Sequence, residues 1–188
     1  MVNRTNTRQR WLDAGLTALE EEGAAGVRID RIAARLGLSK GSFHHHFDGA
    51  DGYKRELLSH FEALSTGALE QAIDGVGPPG DARAVLSALT AAIGAGRPDL
   101  YRPKLEVAVR AWATSDPEVQ AVQSRIDAAR LAALQRVWRP HTDDDAQART
   151  AALLPYLVAL GASVLEPPVS AEELNRVYEL LLPLVPNS

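Results

Sequence analysis

Apolar residues recur with the period of an α-helix along most of the chain. Between residues 8 and 22 they fall at Trp11, Leu12, Leu16 and Leu19, with charged residues between them, which indicates a helix with one buried face. Similar patterns predict helices over residues 29–36, 40–46, 51–74, 81–95, 99–114, 117–138, 143–165 and 171–185. No segment alternates apolar and polar residues over the length of a strand. The pattern therefore predicts an all-α protein of about nine helices.

Residues suited to helix ends support these boundaries. Gly37 can end one helix in a left-handed conformation, and Ser39 can cap the next. Pro117 suits a first helical turn, Thr142 before three aspartates resembles a helix cap, and residues 170–173 fit a capping box. The glycine- and proline-rich segment 75–80 predicts a loop.

Two short helices, 29–36 and 40–46, are joined by the turn Gly37-Leu38-Ser39. Phe43 and Phe47 would hold the pair at a steep angle, which is the helix-turn-helix arrangement. The second helix of such a pair can enter the major groove of B-DNA. Helix-turn-helix pairs also occur in proteins that bind no DNA. The small, polar residues predicted to contact DNA are Ser39, Lys40, Gly41, Ser42, His44 and His45.

A longer motif surrounds this pair. The segments RWLDA at residues 10–14 and IAARLGLSKGSFHHHF at residues 32–47 closely resemble the N-terminal domain of TetR-family transcriptional regulators. The resemblance is specific over about residues 7–60. The rest of the chain resembles the family only in its length, its all-helical character and the order of its helices. It implies a homodimer with a three-helix DNA-binding domain at residues 1–50 and a helical ligand-binding and dimerisation domain at 51–188. Members of this family mostly repress, and they release a DNA operator when a small-molecule effector binds.

Three positions depart from the family's pattern. His44 stands where the family usually has a tyrosine that contacts the DNA backbone, and Ala50 where it usually has a phosphate-binding lysine. Arg28 replaces a threonine that usually caps the second helix, and because it adds positive charge near the predicted DNA site, it is also a predicted DNA-binding residue. Because Ala50 cannot contact phosphate through its side chain, an alternative function stays open: a helical protein–protein interaction module without specific DNA binding.

The net charge of −4 is unevenly distributed. Residues 1–47 carry seven basic and five acidic side chains, a net charge of +2, so the remainder carries −6. A basic segment on an acidic chain indicates a polyanionic partner such as double-stranded DNA, although small differences of this kind also arise by chance.

Several function classes lack their sequence signals. There is no cysteine, no nucleophile elbow and no phosphate-binding glycine loop, so we expect no enzyme and no cofactor. Consecutive histidines at residues 44–46 point about 100° apart on a helix and cannot converge on one metal ion. The most apolar window, residues 151–165, is 15 residues long, short of the about 20 needed to cross a bilayer. We expect a soluble, cytoplasmic protein with no secretory signal and no membrane contact.

Candidate ligand-binding residues are Phe61, Tyr101 and Trp112, since aromatic walls suit an apolar ligand. The resemblance implies that the helix carrying Trp112 lines a cavity, but aromatic residues at helical spacing are also ordinary core residues.

The last two predicted helices, 143–165 and 171–185, indicate a dimer interface. The first is apolar nearly all round from Ala151 onward, so it should be buried on every side, and Pro155 should kink or split it. We predict that both helices pair with their copies across a two-fold axis; burial within one chain is the alternative. The predicted interface residues are Leu154, Leu157, Val158, Gly161, Leu165, Val177, Tyr178 and Leu181.

Overall fold

The computed structural model describes residues 4–75, 82–95, 97 and 100–185. Within these ranges it has nine α-helices and no strand, which confirms the all-α prediction. The helices are α1 (Arg4–Glu22), α2 (Ile29–Leu36), α3 (Lys40–His46), α4 (Gly49–Asp74), α5 (Ala82–Gly94), α6 (Pro103–Ala113), α7 (Pro117–Trp138), α8 (Asp145–Val164) and α9 (Ala171–Leu181). Among the helices described, none is long and apolar enough to cross a membrane.

Several helix ends are set by residues that the sequence indicated. Gly37 adopts the left-handed conformation at φ 65° after α2, and the Ser39 hydroxyl accepts the backbone N–H of Ser42 at 3.2 Å. Asp116 caps α7 by accepting the N–H groups of Glu118 and Val119. The capping box at Ser170 is present in full.

Two details differ from the prediction, at the start of α8 and at the end of the last helix. Asp144, not Thr142, caps α8 by accepting the Gln147 N–H at 2.8 Å, because its carboxylate is next to the helix start. Pro155 was predicted to kink or split this helix, and it does not split α8, which runs through it. The last helix ends at Leu181 and continues as a 3₁₀ turn over Leu182–Leu184. The predicted loop at 75–80 lies outside the described residues beyond Gly75.

The chain divides into two compact units. One consists of residues 1–63 and 104–123, and the other of 64–103 and 124–188. Helices α4 and α7 therefore contribute residues to both units. The predicted domains, residues 1–50 and 51–188, were assigned by function and not by compactness. They are not tested by these units and stay a prediction.

The core of the second unit is formed by α5, α7 and α8. Its fully or nearly buried residues are Ala82, Val85, Leu86, Leu89, Leu134, Val137, Trp138, Ala148, Ala152, Tyr156 and Val185. Only one face of α8 takes part in this core. Leu157 and Val164 on that helix are 58% and 64% exposed, so the alternative of burial within one chain is wrong for this exposed face of α8, and its burial by a second copy stays a prediction.

Candidate nucleic-acid interface

A cluster of buried aromatic rings holds α3 against α1 and α4. Phe43 and Trp11 are fully buried, with ring centroids 5.3 Å apart in an edge-to-face arrangement. Tyr53 from α4 packs against Phe43 at 5.4 Å and against Phe47 at 4.9 Å. Such pairs contribute about 0.5–1.5 kcal/mol beyond the burial of their area. The orientation of α3 is therefore fixed by its two phenylalanines.

The Tyr53 hydroxyl adds a directional contact to this cluster. It donates a hydrogen bond of 2.7 Å to the backbone carbonyl of Trp11. Burial raises the pKa of Tyr53 well above its usual value, so the hydroxyl keeps its proton. Gly15 on α1 makes room for it, because a Cβ at that position would lie 2.1 Å from the Tyr53 oxygen.

The opposite face of α3 is open to solvent. Ser39, Lys40, Gly41, His44 and His45 are exposed, and Ser42 is half-buried. Successive helical residues point about 100° apart, so His45 lies on the side opposite Phe43. The residues predicted to contact DNA thus form one accessible polar surface; the contacts themselves stay a prediction.

The three neighbouring histidines have different surroundings. The His44 ring packs edge-on against Phe43 at 5.4 Å, whereas His45 contacts the His46 ring at 5.2 Å. His46 turns toward Phe47, at 6.3 Å. Nowhere in the described ranges do three His, Cys, Asp or Glu side chains form a group that could hold a metal.

Arg28 occupies the cap position of α2 without making a side-chain cap, as its replacement of a threonine implies. Its guanidinium instead binds Asp30 at 3.2 Å, and this hydrogen bond holds the pKa of the Asp30 carboxyl below its usual value. The positive charge that Arg28 was expected to add near DNA is therefore balanced by a neighbouring carboxylate.

Lys54 on α4 joins a polar cluster that sequence reasoning did not find. Its Nζ lies 2.5 Å from Asp116 Oδ2 and 3.0 Å from Glu118 Oε2, and 5.7 Å from the centroid of the Trp112 ring. Although desolvation opposes the charge, the hydrogen bonds to both carboxylates raise the pKa of Lys54. The cluster connects α4 to the start of α7 within the first unit. No local pattern could reveal it, since 62 positions separate Lys54 from Asp116.

The three candidate ligand residues fall in different parts of the chain. Phe61 is buried and Trp112 half-buried, both in the first unit. Tyr101 belongs to the second unit, where its hydroxyl donates to the Val169 carbonyl at 2.9 Å. Burial raises the pKa of Tyr101 above its usual value. Their role in ligand binding stays a prediction.

The predicted dimer residues lie mostly on an accessible apolar surface of α8 and α9. Leu154, Leu157, Leu165 and Val177 are 40–58% exposed, Gly161 is exposed, and Val158 and Leu181 are half-buried. Tyr178 is different: its hydroxyl donates to the Pro155 carbonyl at 2.8 Å, so it fastens α9 to α8 within the chain. The prediction omitted Val164 and Leu180, which are 64% and 77% exposed, although both continue the apolar pattern.

Comparisons with known proteins agree with this arrangement. Residues 12–59 match the family model of bacterial regulatory proteins of the tetR family. No protein of curated function matches the chain in sequence. Solved structures share its fold, among them reduced NemR from E. coli, with TM-score 0.78 and 17% identity over 97% of this chain and 99% of that one.

Two further structures are similar over almost their whole length. A TetR-family transcriptional regulator from Streptomyces coelicolor has TM-score 0.72 and 22% identity, covering 96% of each chain. A transcriptional regulator from Saccharomonospora viridis, solved with choline, has TM-score 0.69 and 18% identity, covering 95% of this chain and 96% of that one. Residues 12–59 therefore match the N-terminal, helix-turn-helix domain of bacterial regulatory proteins of the tetR family, and the chain as a whole resembles regulators of that family in fold.

Proposed function

We propose that this protein is a ligand-responsive repressor that a small molecule releases from a near-palindromic operator in the cytoplasm. The observation that carries the DNA-binding part is the open polar surface of α3, anchored from behind by Phe43 and Phe47. A groove-entering helix needs both features: a rigid inner face and an outer face of small polar side chains.

Operator binding is tested by fluorescence anisotropy with DNA flanking the protein's own gene, in the presence of excess mixed-sequence competitor. A repressor should bind this DNA at least about 10³-fold more tightly than the competitor at physiological salt. Equal affinity for both duplexes would favour the alternative, a helical protein–protein interaction module without specific DNA binding.

Lys40 is expected to contribute to binding through its charge. It is exposed and has no ion-pair partner among the residues that the structure describes. If Lys40 contacts phosphate, Lys40→Ala should weaken binding to every sequence and lower the slope of log K against log[salt] by about 0.9 per contact. Relaxed specificity at one base pair would instead show that Lys40 contacts a guanine. Lys104→Ala, which removes an equal charge from an exposed position on α6, is the matched control.

Dimerisation through α8 and α9 is supported by the apolar surface that the single chain leaves exposed. Six large apolar side chains on or directly after these helices are 40–77% exposed: Leu154, Leu157, Val164, Leu165, Val177 and Leu180. Large contiguous apolar patches are typical of protein interfaces, and these six side chains are proposed to form one. Two such helices from each copy would form a four-helix interface and could set the α3 helices about 34–36 Å apart, one turn of DNA.

Replacing Leu157 with aspartate should therefore break the dimer without unfolding the chain, since Leu157 is already 58% exposed. An unpaired carboxylate buried in an interface costs several kcal/mol, so the dimer dissociation constant should rise at least about 30-fold. Sedimentation equilibrium measures it. Val107→Asp is the control, because Val107 on α6 is also exposed, at 37%, but lies outside the predicted interface. An unchanged dimer in Leu157→Asp would contradict the assignment.

Release by ligand is proposed to act through α4, which contributes residues to both compact units. The choline-bound structure from Saccharomonospora viridis supports a ligand-binding role for this fold. If ligand weakens DNA binding by some factor, DNA must weaken ligand binding by the same factor. Titrations of an effector with and without operator test this reciprocity, and identical affinities would exclude the coupling.

A further inference from the structure

We propose that Arg10 and Arg55 bind phosphates of the DNA backbone at the two ends of α3, and that the ion-paired Arg8, Arg31 and Arg35 of α1 and α2 add no net charge to the interface. The proposal rests on the proposed DNA-binding function and extends it to two residues outside the helix-turn-helix motif. Its basis is the distribution of ion pairs among the cations of this domain.

Most cations described before residue 64 are paired with carboxylates. Arg31 of α2 lies 2.5 Å from Glu22, and Arg35 lies 2.6 Å from Glu21. These two pairs fasten α2 to the end of α1. The remaining pairs are Arg8 with Glu56, Arg28 with Asp30, and Lys54 with Asp116 and Glu118.

A paired arginine contributes little to the attraction of DNA. The pair has no net charge, and a phosphate that approached the guanidinium would also approach the carboxylate. Phosphate binding strengthens association by releasing counterions from DNA, and this requires an uncompensated positive charge. Within the described part of this domain, three cations have no carboxylate partner: Arg10, Lys40 and Arg55.

Arg10 is located at the turn before α3. It is exposed, and its Nη2 donates to the backbone carbonyl of Leu36 at 3.3 Å. Leu36 is the last residue of α2 and directly precedes the turn Gly37-Leu38-Ser39. A carbonyl leaves the guanidinium charge uncompensated. Arg10 therefore holds a full positive charge beside the end of α3 that carries Lys40.

Arg55 is located beside the turn after α3. It is exposed on the second turn of α4, and its Nη2 lies 3.9 Å from the position that a Cβ on Gly52 would take. The side chain thus lies back along the first turn of α4. That turn is held next to α3, because the Tyr53 ring packs against both Phe43 and Phe47.

The acidic residues that the structure describes at this corner are not paired with Arg55. Asp48 and Asp51 are both exposed and would repel a phosphate. Asp51 is four residues before Arg55, a spacing that favours an ion pair on a helix, yet no such pair forms within the described structure. Arg55 therefore has no direct carboxylate contact among the described residues, and its guanidinium is available to a phosphate.

The salt dependence of DNA binding distinguishes these two classes of arginine. Because the phosphate contribution is independent of sequence, the full-length dimer can be titrated with a mixed-sequence duplex long enough for two half-sites. Arg10→Gln and Arg55→Gln should each lower the slope of log K against log[salt] by about 1.8, because the dimer makes two such contacts and each contributes about 0.9. When the salt concentration rises from about 50 to 200 mM, the affinity of the wild type should fall by a factor about 12 times larger than the factor for either variant.

The double variants Arg31→Gln/Glu22→Gln and Arg35→Gln/Glu21→Gln are the matched controls, because each removes a whole ion pair without changing the net charge and should leave the slope unchanged. Arg10→Lys and Arg55→Lys keep the positive charge and should keep the wild-type slope. This result would show that the glutamine variants act through lost charge and not through unfolding. The inference is overturned if the wild type binds DNA while either glutamine variant keeps its slope, or if the paired controls flatten the slope equally. Failure of the wild-type protein to bind any duplex would overturn the proposed function as well.

Discussion

Phe43→Ala is expected to destabilise the protein by about 3–5 kcal/mol and to abolish DNA binding. Phe43 is fully buried and contacts the rings of Trp11, Phe47 and Tyr53 at 5.2–5.4 Å. α3 has only seven residues, too few for a stable isolated helix, so its stability must come from packing. Removing the ring at its centre therefore removes the main contact that keeps α3 folded.

Urea denaturation followed by tryptophan fluorescence measures this change, because the Trp11 ring is part of the cluster. Phe43→Leu is the matched control: it keeps most of the buried volume but loses the ring contacts, so it should cost less than Phe43→Ala. His45→Ala tests the exposed side of the same helix and should change the free energy of unfolding by no more than about 0.5 kcal/mol. A Phe43→Ala variant that loses less than about 1 kcal/mol and still binds DNA would show that α3 does not depend on this cluster.

The bounds of α2 and α3 could be predicted from the sequence because neighbouring residues set them. Gly37 ends α2 in a conformation that glycine adopts without strain, and Ser39 caps α3 through a bond to a residue three positions later. The polar face of α3 was predictable for the same reason, since the positions of Phe43 and Phe47 determine which side of a short helix is turned outward.

Contacts between distant segments could not be predicted in this way. Spacing alone would favour an ion pair between Asp51 and Arg55, which the structure does not form, whereas Arg31 pairs with Glu22 nine residues earlier. Which arginines remain available to DNA thus depends on how α1 packs against α2. The exposure of α8 shows the same limit: its apolar composition predicted burial, but composition does not say whether a segment of the same chain or a second copy covers the helix.

Gly15→Ala is expected to destabilise the protein by about 2 kcal/mol or more, although helix propensity alone predicts the opposite sign. Alanine is favoured over glycine inside a helix by about 1 kcal/mol. Here a Cβ would lie 2.1 Å from the Tyr53 oxygen and 2.9 Å from Leu57 Cδ1. Tyr53 is only 2% exposed, so its ring cannot move aside without disturbing Phe43 and Phe47 and losing its bond to the Trp11 carbonyl.

A double-mutant cycle with Tyr53→Phe isolates this contact. Tyr53→Phe alone should cost about 1 kcal/mol through the lost hydrogen bond to Trp11, and it removes the atom nearest to the new methyl group. The next ring atom, Cζ, lies 3.1 Å from the Cβ position, close enough for a small shift to relieve. Gly15→Ala should therefore cost at least about 1 kcal/mol less in the Tyr53→Phe background than in the wild type, as contacting residues show coupling of this size. Equal costs in both backgrounds, or a Gly15→Ala variant that is more stable than the wild type, would contradict the close approach of Tyr53 to Gly15. The measured coupling thus decides whether glycine is needed at this position for space or is only tolerated in the helix.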